Sequence, residues 1–492
     1  MFAGKNDFMS EMTRQRRLLV LAICCMSLLI VGIDSTIVNV ALPSIQRDLN
    51  APVSGLQWTI DAYTLVLASL LMLSGSTGDR LGRRRTFQTG LVIFTLGSLL
   101  CSIAPSLGWL IAFRMMQAVG GSMLNPVAMS IITNVFTDAK ERAQAIGVWG
   151  GVIGISLALG PIVGGSLVDS IGWRSIFWIN VPVGAVALVL TALYVPESRA
   201  AHARRIDPVG QILIFVFLAS LTYAIIEGPR RGWASPVIIS LFVVSAGAIV
   251  SFVAYELRRT EPLIDPRFFR SLPFSAATAI AVCAFSSLAG FLFMNTLYLQ
   301  KVRGFTPLHA GLATVPIAVM TLIFAPISGR IVGSRGPRIP LGVAGVCITA
   351  SGLMLTQLTN TTPLWWLILT YIVFGIGFAA VNAPITNTAV SGMPREQAGV
   401  AAAIASTSRQ VGATLGVAII GSAVVSGLPS EAAFETSFAS ASHIGWWIIT
   451  GAGFGIFILG LISTSARANA SAAATRSALM GATPVDSVLL HS

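Results

Sequence analysis

Four ionisable side chains stand where the sequence is otherwise apolar. Asp34 lies in "GIDSTIVNVALP", inside a hydrophobic run that begins at Leu18. Asp61 follows in "WTIDAYTLVLASLL", Arg114 in "AFRMMQAVGG" and Arg409 in "STSRQVGATLGVAIIG". A charge deep in a lipid-spanning helix costs about 2.5–3.5 kcal/mol on insertion scales, so it faces a cavity or a partner. Burial favours the protonated carboxyl, and a nearby guanidinium favours the carboxylate. That opposition suits a carboxylate which a conformational change loads and unloads with a proton or another cation. A static ion pair that only holds helices together is the alternative. Asp34 lies roughly 12 Å from the nearer end of its run, at 1.5 Å per helical residue. Asp61 and Arg114 fall at comparable depth in theirs. For Arg409 no acid lies within a span of its own half, which leaves backbone carbonyls, an acid from the other half, or a substrate as its partner.

The elements that must position these groups are membrane helices. Of the 492 residues 54% are hydrophobic and only 10% charged, and the mean hydropathy is +0.81. Soluble domains carry about 25% charged residues. A spanning helix needs about 20 apolar residues, and the chain offers fourteen such stretches. The net charge of +12 does not point to nucleic acid, because the basic residues cluster in short loops between apolar runs. Their asymmetry places both termini in the cytoplasm. Lys301 and Arg303 are the weak point, since this topology puts them outside. The five cysteines all fall in spans, so no disulfide framework is expected.

The chain reads as duplicated. "GSTGDRLGRRR" after the second span has a counterpart in "GRIVGSRGPR" after the tenth, with Gly82 on Gly336 and Arg84 on Arg338. The expected plan is an all-α polytopic protein. Residues 1–17 form a cytoplasmic segment, 18–194 a six-helix bundle, 195–272 a linker with two inserted helices, 273–465 a second six-helix bundle, and 466–492 a disordered cytoplasmic tail. Two such halves around a central site are a recurrent transporter architecture.

The loop after the second span has the composition of a gate. Gly75 and Gly78 allow close helix approach, Gly82 allows a tight turn, and Asp79 can bridge to Arg80, Arg83 or Arg84. In the fifth span Gly147, Gly151, Gly154 and Ala158 share a face, followed by Gly160-Pro161 and Gly164-Gly165. Small residues let backbones touch and proline can kink a helix, so this span suits a hinge. No metal-ligand spacing appears among the four histidines, and no phosphate-binding loop includes any of the three lysines. Gly375-x-Gly377 lies in an apolar span with no preceding strand, so it is not a dinucleotide loop. No nucleophile or soluble domain suggests an enzyme.

At this point the residues resemble a family. "IDSTIVNVALP" (33–43), "GSTGDRLGRRR" (75–85), Arg114, Gln117 and Gly120 in "RMMQAVGG", "GPIVGG" (160–165), "WRSIFWINVPVG" (173–184) and "TSRQVGATLGVA" (407–418) together resemble the fourteen-span drug:proton antiporters of the major facilitator superfamily, the group of the EmrB and QacA pumps. The resemblance covers nearly the whole chain. It implies a major facilitator fold with fourteen transmembrane helices in a bacterial inner membrane. It implies export of amphipathic, cationic or neutral lipophiles against inward proton flow, by alternating access. Asp34, Asp61, Arg114 and Arg409 would carry proton and substrate chemistry. Gly75, Gly78, Asp79, Arg80, Gly82, Arg83 and Arg84 would form the gating loop, and Gly160, Pro161, Gly164 and Gly165 the antiporter motif. Partners would be the substrate, protons and membrane lipids. No cofactor beyond the proton gradient is expected, a monomer suffices, and a periplasmic adaptor stays open. The alternative on the same fold is a dedicated exporter of one metabolite, lipid or antibiotic.

Overall fold

A computed structural model describes residues 12–200, 207–259, 262–394, 397–429 and 433–480. The described residues are almost entirely helical, with no strand among them. Fourteen helices fall on the fourteen apolar stretches. In the first half they are α1 (Arg14–Leu49), α2 (Val53–Leu81), α3 (Arg83–Ser102), α4 (Leu107–Val135), α5 (Ala139–Ser170) and α6 (Ser175–Tyr194, interrupted at Ile179). The inserted pair is α7 (Pro208–Arg231) and α8 (Pro236–Glu256). The second half holds α9 (Leu272–Leu297), α10 (Pro307–Arg335), α11 (Arg338–Leu355), α12 (Leu364–Val390), α13 (Ala398–Ser426) and α14 (Phe434–Ser463). Twelve of these are long and apolar enough to cross a membrane; α3 and α4 are not among the twelve. Three arginines open α3, and polar and small residues punctuate α4, including Arg114, Gln117 and Asn125.

Local chemistry sets the helix ends. Asp207, Ser235 and Thr306 each cap a helix whose first residue is proline. Proline there forfeits no internal hydrogen bond and already has the helical φ. Gly82 and Gly336, matched in the duplicated loops, end α2 and α10 at φ 112° and 79°. The sequence repeat is thus a repeat of backbone conformation.

Packing within the first half is densest between α3 and α4, α1 and α5, and α2 and α4; in the second, α9 pairs with α13, α11 with α14, and α10 with α12. The halves meet along α2–α13 and α5–α10, and α7 lies against both α2 and α13. Hydrogen bonds across the seam gather at the end where α1 and α5 finish. Gln57 donates to the carbonyls of Val417 (3.1 Å) and Ala418 (3.2 Å), and the Thr414 hydroxyl to Thr64 (2.9 Å). A π-helical turn after α9 (Tyr298–Val302) sends Gln300 to the Val40 carbonyl and Lys301 to Gln46. Arg303, beside it, bonds to the Thr362 carbonyl. Both basic residues that strained the charge asymmetry are therefore tied down.

One sequence expectation fails here. The tail from Ala466, expected to be disordered, forms α15 (Ala466–Met480). Its small residues allow close packing: Ala468, Ala472, Thr475 and Leu479 are buried, and the Ser471 hydroxyl accepts from the Leu272 N–H, 3.0 Å away. Residues 481–492 of that tail lie outside the described residues.

Candidate functional site

Asp34 and Arg114 meet. Asp34 is 0% exposed and Arg114 1%. Arg114 Nη1 lies 2.5 Å from Asp34 Oδ2. The other carboxylate oxygen accepts from Gln117 Nε2 at 2.8 Å and Asn180 Nδ2 at 3.0 Å. Gln117 sits one turn after Arg114 on α4, so both reach the same face, and its Oε1 accepts from Arg114 Nη1 at 2.8 Å. Asn180 follows the interruption in α6 and also donates to Ser98 of α3. Arg114 Nε donates to the Thr59 carbonyl, and its guanidinium stacks 4.1 Å from the Tyr63 ring centre. Two helices, α4 and α6, thus donate directly to the α1 carboxylate, and α2 and α3 brace those donors. The added hydrogen bonds offset the desolvation that would otherwise exclude such a pair.

Asp61 is equally buried but differs. Both its carboxylate oxygens are buried without a hydrogen-bond partner. It is not part of the Asp34 network.

Arg409 lies apart, in the second half. It donates to the hydroxyls of Thr386 (2.6 Å) and Ser406 (3.2 Å) and to the Asn382 carbonyl (3.4 Å). Its Nε is buried with no partner. Of the partners open from sequence, a carbonyl is present, two hydroxyls join it, and no acid is bonded to it.

The loop between α2 and α3 is built around two acids. Asp79 Oδ1 accepts from Arg83 Nη2 at 2.8 Å. Glu197, which no sequence pattern singled out, places its carboxylate at the start of α3 and accepts from the N–H groups of Arg84 (3.2 Å) and Arg85 (3.3 Å). A carboxylate there satisfies unpaired N–H groups and complements the helix dipole. Gly82 leaves the room: a β-carbon on it would lie 2.5 Å from Glu197 Oε1. Gly78 faces Val127 of α4, and Gly75 faces Pro126. Arg80 is exposed.

The Gly-Pro segment of α5 is a contact on two sides. Gly160 and Gly164 face Thr36 and Ile37 of α1. A β-carbon on Gly165 would lie 2.6 Å from Leu308 Cα of α10, and Gly311 of α10 abuts the Pro161 carbonyl. The small face expected earlier in the helix is packed only in part: at Gly147 and Gly151 an added β-carbon would meet nothing within 4 Å, whereas at Gly154 it would touch Leu322 of α10 at 3.6 Å. "WRSIFWINVPVG" divides its work: Trp173 and Arg174 both bond to Asp48 at the end of α1 (2.9 and 2.5 Å), while Asn180 reaches the Asp34 carboxylate.

No cluster of metal-ligating residues occurs among the described residues. The folded chain resembles the crystal structure of a bacterial homologue of the human lysosomal transporter Spinster, inward-facing and occupied, with TM-score 0.67 and 16% identity over 94% of this chain and 99% of that one. It also resembles a bacterial homologue of the human drug peptide transporters PepT1 and PepT2 (TM-score 0.64, 14% identity, 95% and 100% covered). At these identities the likeness is one of fold. Sequence relatives are nearer. The multidrug resistance protein Stp of Mycobacterium tuberculosis is 38% identical over 84% of this chain and 76% of its own length. The tetracenomycin C resistance and export protein of Streptomyces glaucescens is 37% identical over 80% and 73%, and the methylenomycin A resistance protein of Streptomyces coelicolor 33% identical over 79% and 82%. With two helical halves meeting along α2–α13 and α5–α10, and a family profile matching residues 24–417, the chain belongs to the Major Facilitator Superfamily.

Proposed function

We propose that this transporter is a proton-coupled antiporter of the fourteen-span drug:proton group, exporting lipophilic, drug-sized compounds from a bacterial cytoplasm by alternating access. The observation that carries the reading is the buried Asp34–Arg114 pair with its Gln117 and Asn180 donors. It is a carboxylate on α1 whose partners come from α4 and α6, so a change in helix packing alters its affinity for a proton. All fourteen helices cross the inner membrane, with both termini cytoplasmic. In that orientation the cross-seam bonds of Gln57, Gln300 and Lys301 seal the outer end, and the state is inward-facing. Protonating Asp34 from outside and deprotonating it inside couples the exchange, because each state binds proton and substrate differently.

A narrower reading has its own support. Two of the relatives are named for resistance to, or export of, a single antibiotic, which favours a dedicated exporter. The test of coupling is proton flux in everted vesicles. A pH-sensitive dye reports collapse of a preformed gradient when ethidium or another lipophile is added, for wild type and Asp34→Asn in parallel. Substrate-triggered proton release in wild type alone supports antiport through Asp34. Equal responses make the pair structural. Silence across a broad panel, with response to one compound, selects the dedicated exporter.

A further inference from the structure

Four acidic or basic side chains stand deep inside their helices among the described residues: Asp34, Asp61, Arg114 and Arg409. The first three are sealed, with exposures of 1% or less. Arg409 alone is partly exposed. Its hydrogen-bond partners are all neutral oxygens, and one of its N–H donors is buried with none. The helices that surround it, α9, α12 and α13, contain no Asp or Glu at all. Thus the half-buried charge in this part of the transporter is positive, with no acid on the helices around it. Conversely, the Asp34 carboxylate is already occupied by three donors, and Asp61 is closed off from solvent. A cationic ligand would find no open carboxylate in this state, and would meet Arg409.

The partly exposed ring beside Arg409 is Phe285, backed by the buried Phe378 and Phe374. The guanidinium carbon of Arg409 lies 6.0 Å from the centre of the Phe285 ring. Phe285 meets Phe378 edge-on at 5.3 Å, and Phe378 lies parallel to Phe374 at 6.5 Å. A guanidinium presents a planar fork suited to carboxylate-like oxygens, and an adjacent ring edge suits a flat π-system.

Resting on the drug-export reading and narrowing it, we infer that Arg409 is an anion-accepting point of the substrate site, with Thr386 and Ser406 beside it, and that the ligand class is planar aromatic lipophiles bearing an acidic or strongly accepting oxygen. This inverts the expectation of a cationic substrate. Binding energy in this state comes from a charge-assisted hydrogen bond to Arg409 and from contact with the Phe285 ring, and it leaves the Asp34 network free to handle the proton.

The test uses three probes on one ring system: anthracene-9-carboxylate, its primary amide, and a trimethylammonium-methyl anthracene. Binding to the purified full chain in lipid nanodiscs is read by tryptophan-to-anthracene energy transfer, for wild type, Arg409→Lys and Arg409→Gln. The expected order in wild type is acid, then amide, then cation. Loss of a hydrogen bond to a charged group should weaken the acid roughly tenfold or more in Arg409→Gln, with a distinctly smaller loss for the amide and none for the cation. Arg409→Lys should retain much of the acid preference, which also shows that a substituted chain still folds. If the cation binds as well as the acid, or if Arg409→Gln weakens all three alike, Arg409 is a packing residue; the inference falls and drug export stands. If wild type binds none of the probes and its expression confers no resistance to any lipophile, both readings fall.

Discussion

The Glu197 carboxylate occupies the space beside Gly82 that a β-carbon would need, with Oε1 only 2.5 Å from that position. The two residues lie at opposite ends of the segment running from α3 through α6, so the contact closes the loop between α2 and α3 onto the exit from α6. The Arg83 N–H to Ser198 carbonyl bond (2.9 Å) and the Ala200 N–H to Asp79 carbonyl bond (3.1 Å) extend it. Gly82→Ala meets both a steric clash and a φ of 112°, a conformation that costs a side-chain-bearing residue about 1–3 kcal/mol. Its efflux rate and detergent-solubilised melting temperature should both drop. Glu197→Gln loses the charge at the helix start, worth about 0.3–1 kcal/mol, and one of the two acceptors of the Arg84 and Arg85 N–H groups, and should lie between it and wild type. Wild-type efflux by Gly82→Ala would remove the case for this joint.

Breaking the central pair should cost stability as well as coupling. Asp34→Asn leaves Arg114 buried without its anion, and stranding one member of a buried pair costs about 3–5 kcal/mol. The double variant Asp34→Asn with Arg114→Gln removes the stranded charge. Thermal unfolding of the two singles and the double forms a mutant cycle. The double should melt above Arg114-intact Asp34→Asn, yet neither should release protons on substrate addition.

Asp61 should behave in the opposite way. Because its carboxylate oxygens have no partner to lose, Asp61→Asn removes an ionisable group at little structural cost. Its melting temperature should equal or exceed that of wild type, while proton release per substrate pulse changes. A fall in stability as large as that of Asp34→Asn would mean that Asp61 is held by contacts this state does not contain.

The α5–α10 seam offers a mechanical test. Gly311 abuts the Pro161 carbonyl, and Gly165 abuts Leu308, so backbone meets backbone. Gly311→Val wedges this end apart and should shift the population toward the opposite-facing state. A cysteine at Ser422, buried and bonded to Gln57 here, reports the shift through its rate of labelling by a membrane-impermeant maleimide. The rate should rise several-fold in Gly311→Val; an unchanged rate would mean that the contact does not bear on opening.

The residues themselves disclosed a good part of this. Charges stranded in apolar runs announced Asp34, Asp61, Arg114 and Arg409, because their cost in lipid demands an explanation. The duplicated loops announced the matching glycines at 82 and 336. What stayed hidden was the partner of each. Asn180 and Ser98 are small polar residues in stretches full of others, and nothing in spacing along one helix says which neighbour it will face across a bundle. Glu197 sits at the end of a span, where a lone acid is ordinary; only folding brings it to the start of α3. The α15 helix was missed because alanine and serine repeats read as polar and featureless, although alanine is the strongest helix former. Small residues at 147 and 151 looked like the contact at 160–165, since spacing identifies a face but not what covers it.

The Asp34–Arg114 pair also has an electrical meaning. A carboxylate and a guanidinium held together carry no net charge, so helices that move them as a unit do no work against the membrane potential. Once Asp34 holds a proton, Arg114 alone remains charged, and the same movement displaces one elementary charge through the field, at about 2.3 kcal/mol per 100 mV for a full crossing. Under the proposed coupling, the occupancy of this one carboxyl group sets the charge that the moving helices carry through the field.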